Sequence, residues 1–138
     1  MECIFCKIIN KQIPSDIIYE DKDVICFLDI NPIARGHALL LPKKHFNHLL
    51  EVDKKTLGIL LKKIKFVAEN LIKATESEGF NLLLNNRKAA GQVIDHIHFH
   101  IIPRKENDGV KLDLSSKYIY KDNEKKQIIK KFKELIKI

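Results

Sequence analysis

The chain has 138 residues, 45% of them hydrophobic and 31% charged, which is typical of one globular domain of roughly 100–200 residues. No segment approaches the roughly 20 apolar residues of a membrane span, and the N-terminus does not resemble a secretory signal. The net charge of +7 comes mainly from scattered lysines, without a basic block interleaved with aromatics. We therefore expect a cytoplasmic protein whose partners include neither a membrane nor nucleic acid.

The first third of the chain predicts a short helix followed by three strands. Apolar residues recur at helical spacing in C-I-F-C-K-I-I-N, and two β-prone runs flank a turn-like acidic connector. A loop containing proline and glycine follows, and Pro42 closes the third strand. In chain order, these predicted elements are a helix over 3–10, a hairpin of 17–20 and 24–28, a loop over 29–36 and a strand over 37–41.

The rest of the chain predicts a long helix, two strands and a terminal helix. From Asp53 to about Ser77 the apolar residues keep an i, i+3, i+4 spacing, which indicates an amphipathic helix with Asp53 as a candidate N-cap. Further elements are strands over 80–85 and 93–102, with Pro103 stopping the second, and a basic amphipathic helix over 122–138. The order favours an α+β domain in which a mainly antiparallel five-stranded sheet carries the long helix on one face.

Residues 95–103 read D-H-I-H-F-H-I-I-P and place half of the six histidines within five residues. In a strand, alternate side chains share a face, so His96, His98 and His100 would lie together with apolar residues on the other side. Imidazole acts as a nucleophile, proton carrier or metal ligand near neutral pH. A three-histidine metal site has suitable ligands, but their spacing along a strand better suits a catalytic row with a central nucleophile.

The stretch H-I-H-F-H-I-I, with A-G-Q before it and P-R after it, resembles the signature of the histidine triad (HIT) superfamily. The similarity extends to I-F-C-K-I-I at 4–9 and to F-L-D-I-N-P…G-H-A-L-L-L-P-K-K-H at 27–45. It covers roughly residues 3–110 of the expected single domain 1–138, so residues 111–138 form a C-terminal extension. The resemblance implies the HIT-like fold, a two-fold homodimer and a purine nucleotide ligand.

The resemblance also implies roles for individual residues. His98 would be the nucleophile that forms a covalent nucleotidyl-imidazole, with His96, His100, His37 and Gln92 completing the catalytic group. His100 would contact phosphate oxygens, His37 would orient the relay, and Gln92 would contact the phosphate and help to hold the leaving group. The nucleotide-binding residues would be Asp29 at the ribose hydroxyls, Asn85 near the scissile phosphate, and Phe5, Ile8, Phe27, Leu28 and Ile30 around the base.

These roles indicate a Hint-like hydrolase or transferase acting on nucleoside 5′-phosphoramidates or related conjugates, without a cofactor in the catalytic step. One residue departs from the pattern: Val93 follows Gln92, where many relatives have a serine or threonine directed at the scissile phosphate. The alternatives are therefore a dinucleoside polyphosphate hydrolase and a nucleotide-binding regulatory protein with negligible catalysis.

The pair Cys3 and Cys6 forms a C-x-x-C motif, which is weak evidence by itself. Some bacterial-type HIT proteins with this motif resemble the chain in holding one structural zinc, and that resemblance implies Cys3, Cys6, His45 and His96 as ligands. Tetrahedral coordination by two sulfurs and two nitrogens suits Zn²⁺. His48 is an alternative ligand, and two unliganded thiols are the alternative to a metal site.

Overall fold

The computed structural model describes residues 3–113 and 117–137, which form three α-helices and one five-stranded sheet. Residues 1–2, 114–116 and 138 of the predicted domain lie outside the described part. The predicted α+β class is confirmed. The elements are α1 (Ile4–Ile9), β1 (Ile17–Glu20), β2 (Val24–Leu28), β3 (Ala38–Pro42), α2 (Lys54–Ala74), β4 (Gly79–Leu84), β5 (Phe99–Arg104) and α3 (Glu124–Ile136).

The sheet has the strand order β1-β2-β3-β5-β4, and every neighbouring pair is antiparallel. The two faces of the sheet are both covered, because alternate residues of β2 and β3 enter two separate apolar clusters. The larger cluster lies against α2, and the smaller one lies against α1. This separation of the faces decides which side chains meet at the site.

Helix α2 forms where the sequence has its longest amphipathic pattern. The predicted N-cap is confirmed, since the Asp53 carboxylate accepts a hydrogen bond from the Thr56 N–H at 3.0 Å. One face of the helix packs against the sheet. Its buried apolar residues are Leu60, Ile64, Val67, Ala68, Leu71 and Ala74.

The last strand differs from its prediction over 93–102. The ladder of β5 begins only at Phe99, because the backbone N–H of Ile97 donates to the carbonyl of Phe46 at 2.8 Å and β3 ends in Pro42, which has no N–H. The strand also continues through Pro103 instead of stopping there. Pro103 is tolerated because it pairs with β4 alone, beyond the last contact with β3.

Helix α3 completes the larger core. Ile128 and Phe132 are fully buried against the sheet and α2, so the extension packs on the domain. Tyr120 before α3 and Glu124 at its start also contact the loop between β2 and β3. The Gly36 N–H donates to the Tyr120 hydroxyl at 2.8 Å, and Arg35 Nε donates to Glu124 at 2.7 Å. This loop leads directly into His37.

Gly36 is required where it stands. Its φ of +84° favours glycine, and a Cβ at this position would lie 2.5 Å from the Thr75 side chain. The close approach brings the loop against the end of α2, where Arg35 donates to the Thr75 carbonyl. Among the helices of the described ranges, none has both the length and the apolar content needed to cross a membrane.

Candidate functional site

The three histidines of the row keep a common face although two of them precede β5. His98 and His100 face α1, while Ile97, Phe99 and Ile101 belong to the cluster beneath α2. The prediction of alternating faces therefore holds even where the regular strand does not. The rings of His98 and His100 lie next to each other, with centroids 5.2 Å apart.

Backbone hydrogen bonding fixes the tautomer of His98. Its Nδ1 lies 2.7 Å from the carbonyl oxygen of His96, which can only accept, so the proton is on Nδ1 and the Nε2 lone pair is free. Burial lowers the pKa of His98, while the His96 carbonyl and the Asp29 charge act in the opposite direction. The imidazole is thus neutral near pH 7 and has one nucleophilic nitrogen.

Phe5 fixes the plane of the same ring. Its ring meets His98 edge-on at 5.1 Å between centroids and meets Phe27 at 5.6 Å. Such edge-to-face contacts are favourable for aromatic pairs. The buried ring of Phe5 in α1 therefore supports the orientation of the imidazole.

His37 and His100 form a directed pair, which we call the histidine relay. The N–H of Ile33 donates to His37 Nδ1 at 3.1 Å, so the His37 proton is on Nε2. That Nε2 donates to His100 Nδ1 at 2.9 Å, which leaves the proton of a neutral His100 on its outer nitrogen. Burial, followed by the charges of His37 and His98, lowers the pKa of His100 to about 3. The relay therefore ends in a neutral N–H donor.

Asp29 stands beside this relay. One carboxylate oxygen accepts the N–H of Asn31 at 2.9 Å, and the other lies 3.4 Å from His37 Nε2. The side chain is partly exposed, so it retains lone pairs for further donors. Asn85 lies on the opposite side of the row, where its amide nitrogen is 3.8 Å from the position that a Cβ on Gly91 would take.

The structure brings together only part of the predicted apolar slot. Phe5, Ile8 and Phe27 belong to one cluster on the α1 face. Leu28 points to the opposite face and packs in the core beneath α2, because neighbouring residues of a strand face opposite ways. Ile30 lies in the loop beyond β2 and is 83% exposed.

Gln92 is buried and has its amide fully engaged. Its Nε2 donates to the carbonyls of Asn47 at 2.6 Å and Ile94 at 2.9 Å, and its Oε1 accepts the N–H of Arg87 at 2.6 Å. In this arrangement Gln92 holds the loop before the histidine row. A contact between its amide and a phosphate would replace one of these bonds.

Arg87 is a residue that the sequence reasoning missed. Its backbone has φ 72° and ψ 160°, a region that is essentially restricted to glycine and costs other residues about 1–3 kcal/mol. The bonds to Gln92 hold this conformation. The sequence offered no signal for it, since arginine is not a residue that marks a positive φ.

A second group, the cysteine–histidine cluster, consists of Cys3, Cys6, His45 and His96. Their ligand atoms all lie within 4.8 Å of one another. His96 Nε2 donates to the Pro42 carbonyl at 2.8 Å and His45 Nε2 donates to the Asn47 side-chain oxygen at 3.0 Å. Both rings therefore turn an unprotonated Nδ1 toward the two sulfurs.

The spacing within the cluster fits a tetrahedral zinc ion. Bond lengths of about 2.3 Å to sulfur and 2.0 Å to nitrogen imply ligand separations of roughly 3.3–3.8 Å. Cys3 Sγ and Cys6 Sγ lie 3.5 and 3.6 Å from His96 Nδ1, and Cys6 Sγ lies 3.4 Å from His45 Nδ1. The bonds from Nε2 of His96 and His45 to oxygen acceptors are also typical of histidines that bind a metal through the other ring nitrogen. These three separations therefore fit a zinc ion, and the remaining pairs lie within 4.8 Å.

Protonation of the cluster agrees with this geometry. Burial, followed by the hydrogen bond and charge of Cys3, raises the pKa of Cys6 to about 11. Burial lowers the pKa of His96 to about 4. A cation placed between the two sulfurs would therefore displace thiol protons and meet a neutral imidazole.

Comparison with known sequences supports the resemblance. Residues 10–107 match the HIT domain family. The adenylylsulfatase HINT3 of Arabidopsis thaliana is 47% identical over 107 residues, which cover 78% of the chain and 54% of the relative. The chain thus spans about half the length of that protein. The adenosine 5′-monophosphoramidase HNT1 of Saccharomyces cerevisiae is 43% identical over 104 residues, covering 75% of the chain and 63% of the relative.

Solved structures show the same architecture. A HIT-like protein from Bartonella henselae has a TM-score of 0.86 and 36% identity, with 98% of this chain and 96% of that chain covered. A zinc-bound histidine triad family protein from Mycobacterium smegmatis has a TM-score of 0.81 and 28% identity, with the same two coverages of 98% and 96%.

Proposed function

Since the chain belongs to the HIT domain family, we propose that it cleaves nucleoside 5′-phosphoramidates or related nucleotidyl conjugates. The relatives HINT3 and HNT1, named as an adenylylsulfatase and an adenosine 5′-monophosphoramidase, support a nucleotide hydrolase. The observation that carries the proposal is the hydrogen bond from His98 Nδ1 to the His96 carbonyl. It leaves the Nε2 lone pair as the nucleophile at neutral pH.

The reaction would proceed in two displacements at phosphorus. His98 Nε2 attacks the phosphorus while the bond to the leaving group breaks, and a nucleotidyl-histidine is formed. The electron pair of the broken bond stays on the leaving group, and a leaving amine takes a proton from solvent. Water then attacks the same phosphorus and releases a proton to solvent, and the electron pair of the bond between phosphorus and histidine returns to Nε2. The relay assists by donating the outer N–H of His100 to a phosphate oxygen, where charge develops. His96 takes part through its carbonyl, while its ring belongs to the cysteine–histidine cluster.

The binding of the nucleotide would use residues on the α1 face. Asp29 would accept the ribose hydroxyls, a role that its exposed lone pairs support. Phe5 and Phe27 would contact a purine base together with Ile8, and Ile30 would reach the base from the loop. The packing of Leu28 under α2 gives it a supporting position instead of a contact. Asn85 and Gln92 would act on the phosphate side.

The cysteine–histidine cluster would hold a structural zinc. Its spacing and the zinc-bound neighbour from Mycobacterium smegmatis support this assignment. When bound, the ion would join α1 to the loop before β5 and thereby fix the carbonyl that orients His98. The catalytic step itself would not use the ion.

We also propose a homodimer, and the exposed edge of the sheet supports it. Strand β4 is an edge strand whose Phe80 and Leu82 are both exposed, and such an edge is a template for pairing with another strand. Residues 1–138 would act as one domain, in which the extension packs on the family core. The cytoplasmic location remains a prediction from the sequence.

Replacement of His98 by Ala tests the catalytic proposal. The variant should bind AMP with unchanged affinity but release AMP from adenosine 5′-phosphoramidate at least a thousandfold more slowly, because it lacks the nitrogen that attacks phosphorus. When the wild-type reaction is stopped without acid, mass spectrometry of the protein should show an added adenylyl group that the variant lacks. Equal rates for wild type and His98→Ala would instead identify a nucleotide-binding regulatory protein.

A further inference from the structure

A cleft of about 920 Å³ is lined in part by Gln92 to Asp95, the loop that leads into the histidine row. Its lining also includes three residues of the cysteine–histidine cluster and the side chains of His48, Arg87 and Lys88. Arg87 and Lys88 thus give the lining two cationic side chains, and Asp95 gives it one acidic side chain.

Arg87 occupies this cleft at a structural cost that glycine would avoid. Its backbone conformation is one that side chains disfavour, and the N–H and carbonyl of Arg87 are both tied to Gln92, at 2.6 and 3.1 Å. An arginine at a position that favours glycine is explained if its guanidinium binds a ligand. Strained residues cluster at ligand-binding and active sites.

His48, which lines the same cleft, gives a second observation. Arg87 Nε donates to His48 Nε2 at 3.3 Å, which places the proton of a neutral His48 on Nδ1. That nitrogen is buried and has no hydrogen-bond partner among the described residues. His48 thus orients the guanidinium at the expense of its own second bond, and no acceptor in residues 3–113 and 117–137 bonds to the two outer nitrogens of Arg87.

Val93 indicates which leaving group suits this cleft. An amine that leaves phosphorus must gain a proton, whereas sulfate or phosphate leaves as a stable anion. Val93 is 86% exposed and presents an isopropyl group, which donates nothing to a leaving nitrogen. A guanidinium, in contrast, binds an oxyanion through two parallel N–H groups.

We propose that Arg87 is a specificity-determining residue that favours nucleotidyl conjugates with an anionic leaving group, such as sulfate or phosphate. This inference rests on the proposed function. In the first step, the bond from His98 Nε2 to phosphorus forms while the P–O bond breaks, and its electron pair leaves on the sulfate or phosphate oxygen without a proton. In the second step, water supplies the new P–O bond and releases a proton to solvent.

The variant Arg87→Gly tests the inference because glycine suits the backbone and removes only the guanidinium. We measure kcat/KM with adenosine 5′-phosphosulfate, diadenosine triphosphate and adenosine 5′-phosphoramidate. For the two anionic leaving groups, kcat/KM should fall about ten- to hundredfold, the range for a lost charged hydrogen bond. For the phosphoramidate it should change less than about threefold, and the melting temperature should not fall. A fall in kcat/KM for adenosine 5′-phosphosulfate alone would still support the inference and would restrict it to small anionic leaving groups.

The matched controls are Arg87→Lys and Lys88→Ala. Lysine retains the charge without the planar fork and should recover part of the preference, and loss of Lys88 should have the smaller effect. Equal changes for all three substrates, or no change for any, would overturn the inference while leaving the His98 mechanism intact. If wild type cleaves none of them and forms no adenylyl-histidine, the proposed function fails and the inference fails with it.

Discussion

The histidine row joins two groups that use the same side chain in opposite ways. In the cysteine–histidine cluster, His45 and His96 donate their Nε2 protons outward to oxygen acceptors, so their lone pairs converge on the two sulfurs. In the histidine relay, the lone pairs of His37 and His100 are both filled by an N–H, first of Ile33 and then of His37. The cysteine–histidine cluster can therefore accept a cation, whereas in the histidine relay each Nδ1 lone pair already accepts an N–H.

The difference shows that the second hydrogen bond of a ring decides what the ring does. Asp29, His37 and His100 are also close enough to be considered as metal ligands. The occupied Nδ1 atoms of both rings argue against that use. Because outer hydrogen bonds set the tautomer, they separate a metal site from a proton relay only four residues apart along the row.

The largest expected effect comes from removing a sulfur from the cluster. Cys3→Ser should retain the N-cap of α1, since serine also accepts the N–H of residue 6, but should lose bound zinc and about 4 kcal/mol or more of the free energy of unfolding. Metal analysis and urea denaturation measure both quantities. Cys26→Ala, which changes a buried thiol of the other core, should leave the zinc content unchanged. Stoichiometric zinc in the Cys3→Ser variant would contradict the assignment.

A smaller effect is expected from breaking the relay. His37→Asn removes the donor to His100 and should lower kcat for adenosine 5′-phosphoramidate about ten- to hundredfold, or about 1.4–2.7 kcal/mol, with little change in KM. Zinc content should stay the same, which separates the two groups. In His37→Gln the amide nitrogen can reach the same region and should restore part of kcat. A rise in KM with an unchanged kcat would show that the relay acts in substrate binding alone.

The smallest effect concerns the dependence of stability on pH. The pKa of His100 is about 3 in the folded chain, against an ordinary value of 6.5. As the pH falls below 6.5, the His100 ring therefore takes up a proton in the unfolded chain but stays neutral in the folded chain. The contribution to stability is complete above that pH and decreases below it, by about 1.4 kcal/mol between pH 7.5 and 5.5. His100→Asn should reduce the measured loss between these two pH values by that amount. An identical pH dependence in wild type and variant would show that other groups cause it.

Much of the fold could be predicted because its local signals are strong. The apolar spacing of α2, its N-cap at Asp53 and the hairpin of β1 and β2 each depend on neighbouring residues, and the structure confirms them. The strand predicted over 93–102 was wrong at both ends, because the partners of a strand are remote in sequence. Pro42 and Phe46 end the ladder on one side, and the short β3 leaves Pro103 free of a second partner.

The amino-acid sequence by itself determined the residue types of the site: an alternating row of histidines, a pair of cysteines three residues apart and a valine after Gln92. Only the structure decided which nitrogen of His37, His96 and His98 carries its proton, because the deciding partners are backbone groups of Ile33, Pro42 and His96. It also decided that Arg87 stands in a glycine-like conformation beside His48. The His96–Pro42 and Arg87–His48 contacts join segments that are remote in sequence, and the bonds of His37 and His98 depend on how the nearby backbone is bent, which no pattern of side chains encodes.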